Sequence, residues 1–173
     1  MDSRLDTLAS FRYPRYDELP DKLVFLDTIV RLINERHAPF PAIIRTNRKH
    51  FTSSMASNYI KQGLTPPPIG KKYNREHICL IFFASTYKLV FGAENVLALT
   101  KRLFDDNDVQ TVNDALADAL EASIARHVGA DAPAVEHDSS LSEATWALIE
   151  AISDALAAKA AALAILDSEG ADD

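Results

Sequence analysis

The chain has 173 residues, 47% of them hydrophobic, with 18 Lys+Arg against 25 Asp+Glu and a formal net charge of -7. That length allows a real core and excludes disorder over the whole chain, while a net charge of this sign excludes a uniformly basic binder of nucleic acid. The lone cysteine, Cys79, makes no internal disulfide, and MDSRLDTLASFR has neither the basic nor the apolar region of a signal peptide, so a cytoplasmic protein is expected. The apolar runs ICLIFFASTYKLVF and ALAAKAAALAIL are shorter than a bilayer span and carry Lys88 and Lys159, so no membrane partner is expected.

The net charge averages two unlike parts. Residues 1–104 hold 16 Lys+Arg and 9 Asp+Glu, a balance of +7, and residues 105–173 hold 2 and 16, a balance of -14. The composition therefore predicts a basic domain over 1–104 and an acidic two-helix region over 105–173. Between residues 40 and 90, Arg45, Arg48, Lys49, Lys61, Lys71, Lys72, Arg75 and Lys88 stand against one acid, Glu76. Such a stretch suits a phosphate backbone, whose counterions it would release, and it equally suits an ordinary solvated surface. The elements along the chain decide between the two.

After an irregular arm containing FRYPRY, the segment LPDKLVFLDTIVRLINERH reads as a helix opened by Pro20, with Leu23, Leu26, Ile29, Val30 and Ile33 on one face. Pro39 and Pro41 then impose a loop. Thr52 caps a second helix that runs to the stop residue Gly63. Met55, Ala56, Tyr59 and Ile60 fall on one side of it, and Ser53, Ser54, Ser57, Asn58 and Lys61, all hydrogen-bond donors, fall on the other. LTPPPIGKK is a stiff loop in which Gly70 turns the chain into Lys71 and Lys72.

Asn74 caps a third helix, REHICLIFFASTYKLVF, apolar on nearly every side from Ile78 to Ala84 and hence the predicted centre of the core. A short helix around AENVLALTKRLF follows. Then come two amphipathic helices. The first spans about 109–128, with Val109, Val112, Leu116, Leu120 and Ile124 opposite Asp114, Asp118 and Glu121. The second is opened by Ser140 and Glu143 at capping-box spacing; Leu141, Leu148, Ile152, Leu156, Leu163 and Leu166 form its apolar side, flanked by Trp146 and Ile149. This hairpin needs a partner for its stripes, either the core of the same chain or the same surface of a second copy as a homodimer. The tail SEGADD is expected to be disordered. The fold class is all-α.

No Walker A loop, GxSxG, HExxH or CxxC is present, the chain has only 5 glycines, and its histidines, His37, His50, His77, His127 and His137, are scattered. No catalytic residue, metal site or cofactor is expected, and the protein is read as a non-enzyme.

The order of capped helix, Gly-Leu stop, basic loop and buried helix is that of winged helix-turn-helix domains. The run SMASNYIKQGLTPPPIGKKYNREHICLIFF resembles the signature of the bacterial domain-of-unknown-function family 1836, over roughly residues 10 to 105. That family is in turn similar to the DNA-binding domain of MerR regulators. The resemblance implies that Tyr59 is the helix tyrosine, Gly63 and Leu64 the helix stop, Lys71 the wing cation and Tyr73 the residue that closes the wing. Ser57 and Asn58 stand where MerR proteins commonly carry Arg and an aromatic residue, and about fifteen residues separate the first helix from Thr52.

The resulting expectation is a transcription regulator that binds double-stranded DNA. Ser53, Ser54, Ser57, Asn58 and Lys61 would face base edges, and Arg45, Arg48, Lys49, Lys71, Lys72 and Arg75 would contact phosphates. The alternative is a non-enzymatic adaptor that uses the same scaffold to bind proteins.

Overall fold

The computed structural model describes residues 3–40 and 51–169. Six α-helices lie within them: α1 (Ser3–Ala9), α2 (Leu26–His37), α3 (Ser53–Lys61), α4 (Arg75–Phe104), α5 (Val109–Val128) and α6 (Glu143–Glu169). Extended pairing among the described residues is confined to two isolated bridges, Val24 with Tyr73 and Ile69 with Lys72, so the fold is all-α. The chain divides into two compact units. One comprises residues 14–35 and 49–114, the other 1–13, 36–48 and 115–173. The change of charge after Phe104 falls inside the first of these.

In the unit of residues 14–35 and 49–114, α4 is the core. His77 through Tyr87 are all buried, because this stretch is apolar around its whole circumference and has to be enclosed on every side. Asn74 caps it as expected, its side-chain oxygen accepting the His77 N–H at 3.1 Å. The two helices expected over 75–104 are joined end to end and kinked at Gly92, whose φ of 73° and ψ of 173° belong to a region that only glycine adopts without strain. By length and composition α4 is the one helix among the described residues that could cross a bilayer, and half of its most apolar window is buried inside the protein. Phe83 stacks on Tyr87 with centroids 4.7 Å apart and meets Phe104 edge-on at 5.4 Å, which ties the helix across its kink.

α2 begins later than the periodicity suggests. Leu23 is 41% exposed, and Val24 exchanges two backbone hydrogen bonds with Tyr73, at 2.9 and 2.8 Å, before the helix starts at Leu26. Ile29 and Ile33 supply its buried positions. The N-terminal arm is secured here too: the Tyr16 N–H donates to Asp114 at 2.8 Å, and the Asn113 amide donates to the Pro14 carbonyl at 3.0 Å.

The other unit is built on α6 and the greater part of α5. The arm expected to be irregular begins as α1, which packs on α6. A helix of two turns has little stability of its own, so that docking rather than local propensity makes it form. Leu8, Phe11, Tyr13 and Phe40 are buried, and the Phe11 and Phe40 rings meet edge-on at 4.2 Å. On α5 the stripe of Leu116, Leu120 and Ile124 is buried, but so are Ala115, Ala117, Ala119 and Ala122, and Glu121 accepts the Tyr13 N–H at 3.0 Å. The acidic face is thus partly used to hold the arm and is not simply solvated.

α6 departs from expectation in two respects. Its cap is Ser142, whose hydroxyl oxygen accepts the Thr145 N–H at 3.1 Å; Ser140 instead donates its N–H and hydroxyl to Asp138, which lowers the pKa of that carboxyl. Its core side runs through Trp146, Ile149, Ile152, Leu156, Ala157, Ala160 and Ala164, whereas Leu166 is 62% exposed. The alanines face inward because small side chains let neighbouring backbone approach closely. Ser168 and Glu169 of the tail are helical, and residues 170–173 lie outside the described residues.

Two outcomes follow from this packing. Gly92→Ala adds a side chain into open space, so any cost comes from the backbone; a loss of about 1–3 kcal/mol is expected in a urea titration, and an unchanged midpoint would contradict the kink geometry. Burial lowers the His37 imidazole from its ordinary 6.5 to about 4. Between these values the unfolded chain binds a proton that the folded chain does not, so His37 favours folding fully above 6.5, and that contribution is lost as pH falls toward 4. Thermal midpoints measured across this range should fall with acidity, and His37→Gln should flatten the dependence.

Candidate nucleic-acid interface

Thr52 adopts an extended conformation and its hydroxyl accepts the Met55 N–H at 3.3 Å, which starts α3 where the sequence places it. At the other end the Leu64 N–H donates to the Tyr59 carbonyl at 3.1 Å and the Gly63 N–H to the Ile60 carbonyl at 3.0 Å, with Gly63 at a φ of 74°. This is a Schellman stop, and it explains why the Gly-Leu pair follows Tyr59 at this spacing. Ala56 and Tyr59 are buried, Met55 and Ile60 are half-buried, and Ser53, Ser54, Asn58 and Lys61 are exposed. Ser57 is half-buried, at the margin of the open face.

Tyr59 is the anchor of α3. Its ring stacks with Phe51 at a centroid distance of 6.1 Å, and the Lys88 ammonium of α4 lies 5.5 Å from its centroid. Burial pushes its hydroxyl up to about 12, and the buried oxygen has no hydrogen-bond partner among the described residues. Asn34 of α2 brackets the residue before the cap: its amide nitrogen donates to the Phe51 carbonyl and its oxygen accepts the Phe51 N–H, both at 2.9 Å. These two bonds bring the end of the long connection back to α2.

Beyond the stop, the His77 imidazole holds the proline loop. Its Nε2–H donates to the Pro67 carbonyl at 3.1 Å, while Nδ1 accepts the Asn74 N–H at 3.2 Å. The Tyr73 ring meets the His77 ring edge-on at 5.4 Å. Ile69 and Lys72 exchange backbone hydrogen bonds of 2.8 and 3.2 Å around Gly70, which has a φ of 65°, and Lys71. The loop therefore ends in a minimal hairpin that exposes both lysines. The Lys72 ammonium lies 5.0 Å over the Phe25 ring.

The predicted residues are brought together only in part. Ser53, Ser54, Asn58 and Lys61 share the open side of α3, and Lys71 and Lys72 share the hairpin. Arg75 is engaged within the protein: its Nε donates to the Leu19 carbonyl at 3.0 Å, its Nη1 is 3.6 Å from Asp17, and its guanidinium lies 5.4 Å over the Tyr16 ring. It serves to hold the arm. Arg45, Arg48 and Lys49 lie outside the described residues. Asn34 and His77 left no signal in the sequence, because each acts through backbone groups distant along the chain. Asp27 was missed as well; its carboxylate accepts from the Ser53 hydroxyl at 3.4 Å and adds negative charge beside the start of α3.

Elsewhere, the unit containing α6 has an open groove of about 490 Å³ lined by Ser123, Arg126, Val135, Glu150 and Asp154. Arg126 there pairs with Asp154 at 3.9 Å, and the Glu150 carboxylate lies 2.8 Å from the His137 Nε2. Cys79 is buried, and burial raises its thiol pKa far above the ordinary value. Among the described residues no three of His, Cys, Asp or Glu are grouped to hold a metal.

A capped helix with a polar open face, followed by a clamped loop and a short basic hairpin, defines the class as a small all-α domain. The chain belongs to the family described as Domain of unknown function (DUF1836), which matches residues 14–119, more than half of its length. Neither a curated protein nor a solved structure matches it.

The unpartnered Tyr59 hydroxyl and the doubly used His77 ring predict opposite mutational effects. Tyr59→Phe should leave stability unchanged or raise it by up to about 1 kcal/mol, since a desolvated hydroxyl without a partner is removed. His77→Ala should lower it by about 2 kcal/mol or more, through a lost loop bond and an opened core. Denaturant titrations of both variants check the contrast, and a clear loss in Tyr59→Phe would count against it.

Proposed function

We propose that the chain is a DNA-binding transcription regulator in which α3 enters the major groove of double-stranded DNA and the 69–72 hairpin acts as a wing. The observation that carries this reading is the division of α3: Ala56 and Tyr59 are buried, while Ser53, Ser54, Asn58 and Lys61 stand open on a helix fixed at both ends. Asn58 has the amide needed for a bidentate contact to adenine, and Ser57, at the edge, contributes at the margin. Lys71 and Lys72, exposed on the hairpin, contact phosphate and set the register. The Val24–Tyr73 bridge supports the wing reading, because it joins the base of the hairpin to the extended segment that leads into α2. No cofactor, metal or catalytic step enters this reading. The helices α5 and α6 remain a proposed means of homodimerisation, and a cytoplasmic location accords with a DNA partner.

A second reading, a protein-binding adaptor on the same scaffold, is favoured by one observation: Leu23, Phe25 and Ile69 are exposed around the hairpin.

Fluorescence polarisation with labelled genomic duplexes, titrated at several salt concentrations, tests the DNA reading. Double substitution of Lys71 and Lys72 by Ala should reduce the slope of log affinity against log salt by about 2, and Asn58→Ala should relax sequence preference by about 1–3 kcal/mol. Asp27→Asn should tighten binding, since it removes a carboxylate beside the helix start. Equal binding to all sequences with an unchanged salt slope would favour the adaptor.

A further inference from the structure

The extended chain around the hairpin carries an apolar face made of residues not assigned to DNA. Val24 pairs with Tyr73 and Ile69 with Lys72, both antiparallel, so Lys72 and Tyr73 lie between two outer segments. Residues directly opposite each other in such pairs share a face, which sets Phe25 and Ile69 on either side of Lys72 in one row. The 5.0 Å from the Lys72 ammonium to the Phe25 ring agrees with that register. Val24 and Tyr73, half-buried and buried, turn to the opposite side, and Leu23 shares the face of Phe25. On the outer face Leu23, Phe25 and Ile69 are 41%, 58% and 50% exposed. Within residues 21–25 and 69–73 the charges are Lys22, Lys71 and Lys72 against Asp21. The row also borders the open side of α3. Phe25 stands two residues before Asp27, a span of at most about 7 Å, and the Asp27 carboxylate accepts from the Ser53 hydroxyl at 3.4 Å.

We propose that this row is a wedge: with α3 in the major groove, Phe25 and Ile69 enter the adjoining minor groove, press between base pairs and kink the duplex. The inference deepens the DNA reading and rests on it. A minor groove is about 6 Å wide and bordered by phosphates on both rims. The row suits it, because its apolar side chains stand among lysines whose long stems carry their ammonium groups outward to those rims. Phe, Leu and Ile are also the side chains that unstack a base step, whereas a hairpin that bound phosphate alone would gain nothing from large apolar groups held in water. Lys71 and Lys72 keep their contacts to phosphate, and the apolar row adds a contact to the bases. Kinks form most readily at pyrimidine–purine steps, so the preferred duplex carries a TA or CA step at a fixed distance from the bases read by α3.

The intact protein is tested with the genomic duplex it binds tightest. One sample carries donor and acceptor dyes at the two ends, and others carry 2-aminopurine in place of successive adenines. Saturating wild-type protein should raise energy transfer, since a kink of about 20–90° shortens the end-to-end distance, and should brighten 2-aminopurine at one step. Phe25→Ala combined with Ile69→Ala should abolish both signals and weaken binding by about tenfold or more. The salt slope of that variant should stay as in the wild type, because Lys71 and Lys72 remain. Phe25→Leu, still large and apolar, should retain both signals. Circular dichroism checks that each variant folds, and Ile69→Ala alone serves should the double variant fail. A wild type that binds the duplex and leaves it straight and stacked would overturn the wedge, leave the DNA reading standing and assign the row to a protein partner. Signals that survive the double substitution would overturn the wedge as well. Failure to bind any duplex would overturn both the wedge and the DNA reading.

Discussion

One imidazole holds the region on which the proposed function rests. His77 sits at the start of α4, buried, and binds backbone on two sides: the Asn74 N–H at the cap and the Pro67 carbonyl in the proline loop. Proline lacks an N–H, so a loop with three in succession cannot be secured by its own backbone donors, and its carbonyls must be met from outside. His77 meets one of them. The loop leaves the end of α3 in a direction fixed by Gly63 and arrives at the hairpin, where Tyr73 pairs with Val24. The open face of α3 and the two lysines are thereby held by hydrogen bonds within one unit.

Asn34 has the same role on the other side of α3. A long segment separates α2 from α3, and within a tight helix-turn-helix the turn itself would set their relation. Here the amide of Asn34 binds both backbone groups of Phe51, whose ring in turn stacks on Tyr59. The constraint that a short turn supplies through chain length is supplied instead by a side chain.

Much of this was legible because it is local. Thr52, Gly63 and Asn74 act within four residues of themselves, and their helix boundaries stand where the sequence puts them. The all-round apolar run from Ile78 to Ala84 marks a core helix for the same reason, and Gly92 separates the two helical segments that composition distinguishes. What was not legible is long-range. The extended pairing of Val24 depends on Tyr73, the helicity of residues 3–9 depends on docking against α6, and the intramolecular partners of Arg75 are Leu19 and Asp17, far from it in sequence. At α6 a stripe drawn through leucines selected Leu163 and Leu166, whereas the buried positions of its last turns are Ala157, Ala160, Ala161 and Ala164. Of the site, the α3 face was readable from helical spacing, whereas Asp27, Asn34 and His77 were not, since each acts on a partner that only the folded chain brings near.

We propose that the open side of α3 and the hairpin lysines form one surface for double-stranded DNA. Backbone amide shift mapping by NMR on the intact protein, titrated with a bound duplex and with a random one, addresses it most directly. The specific duplex should move the amides of Ser53, Ser54, Asn58 and Lys61 together with those of Lys71 and Lys72, and the random duplex should move mainly the lysines. Shifts confined to other surfaces, or no shifts with any duplex, would contradict it.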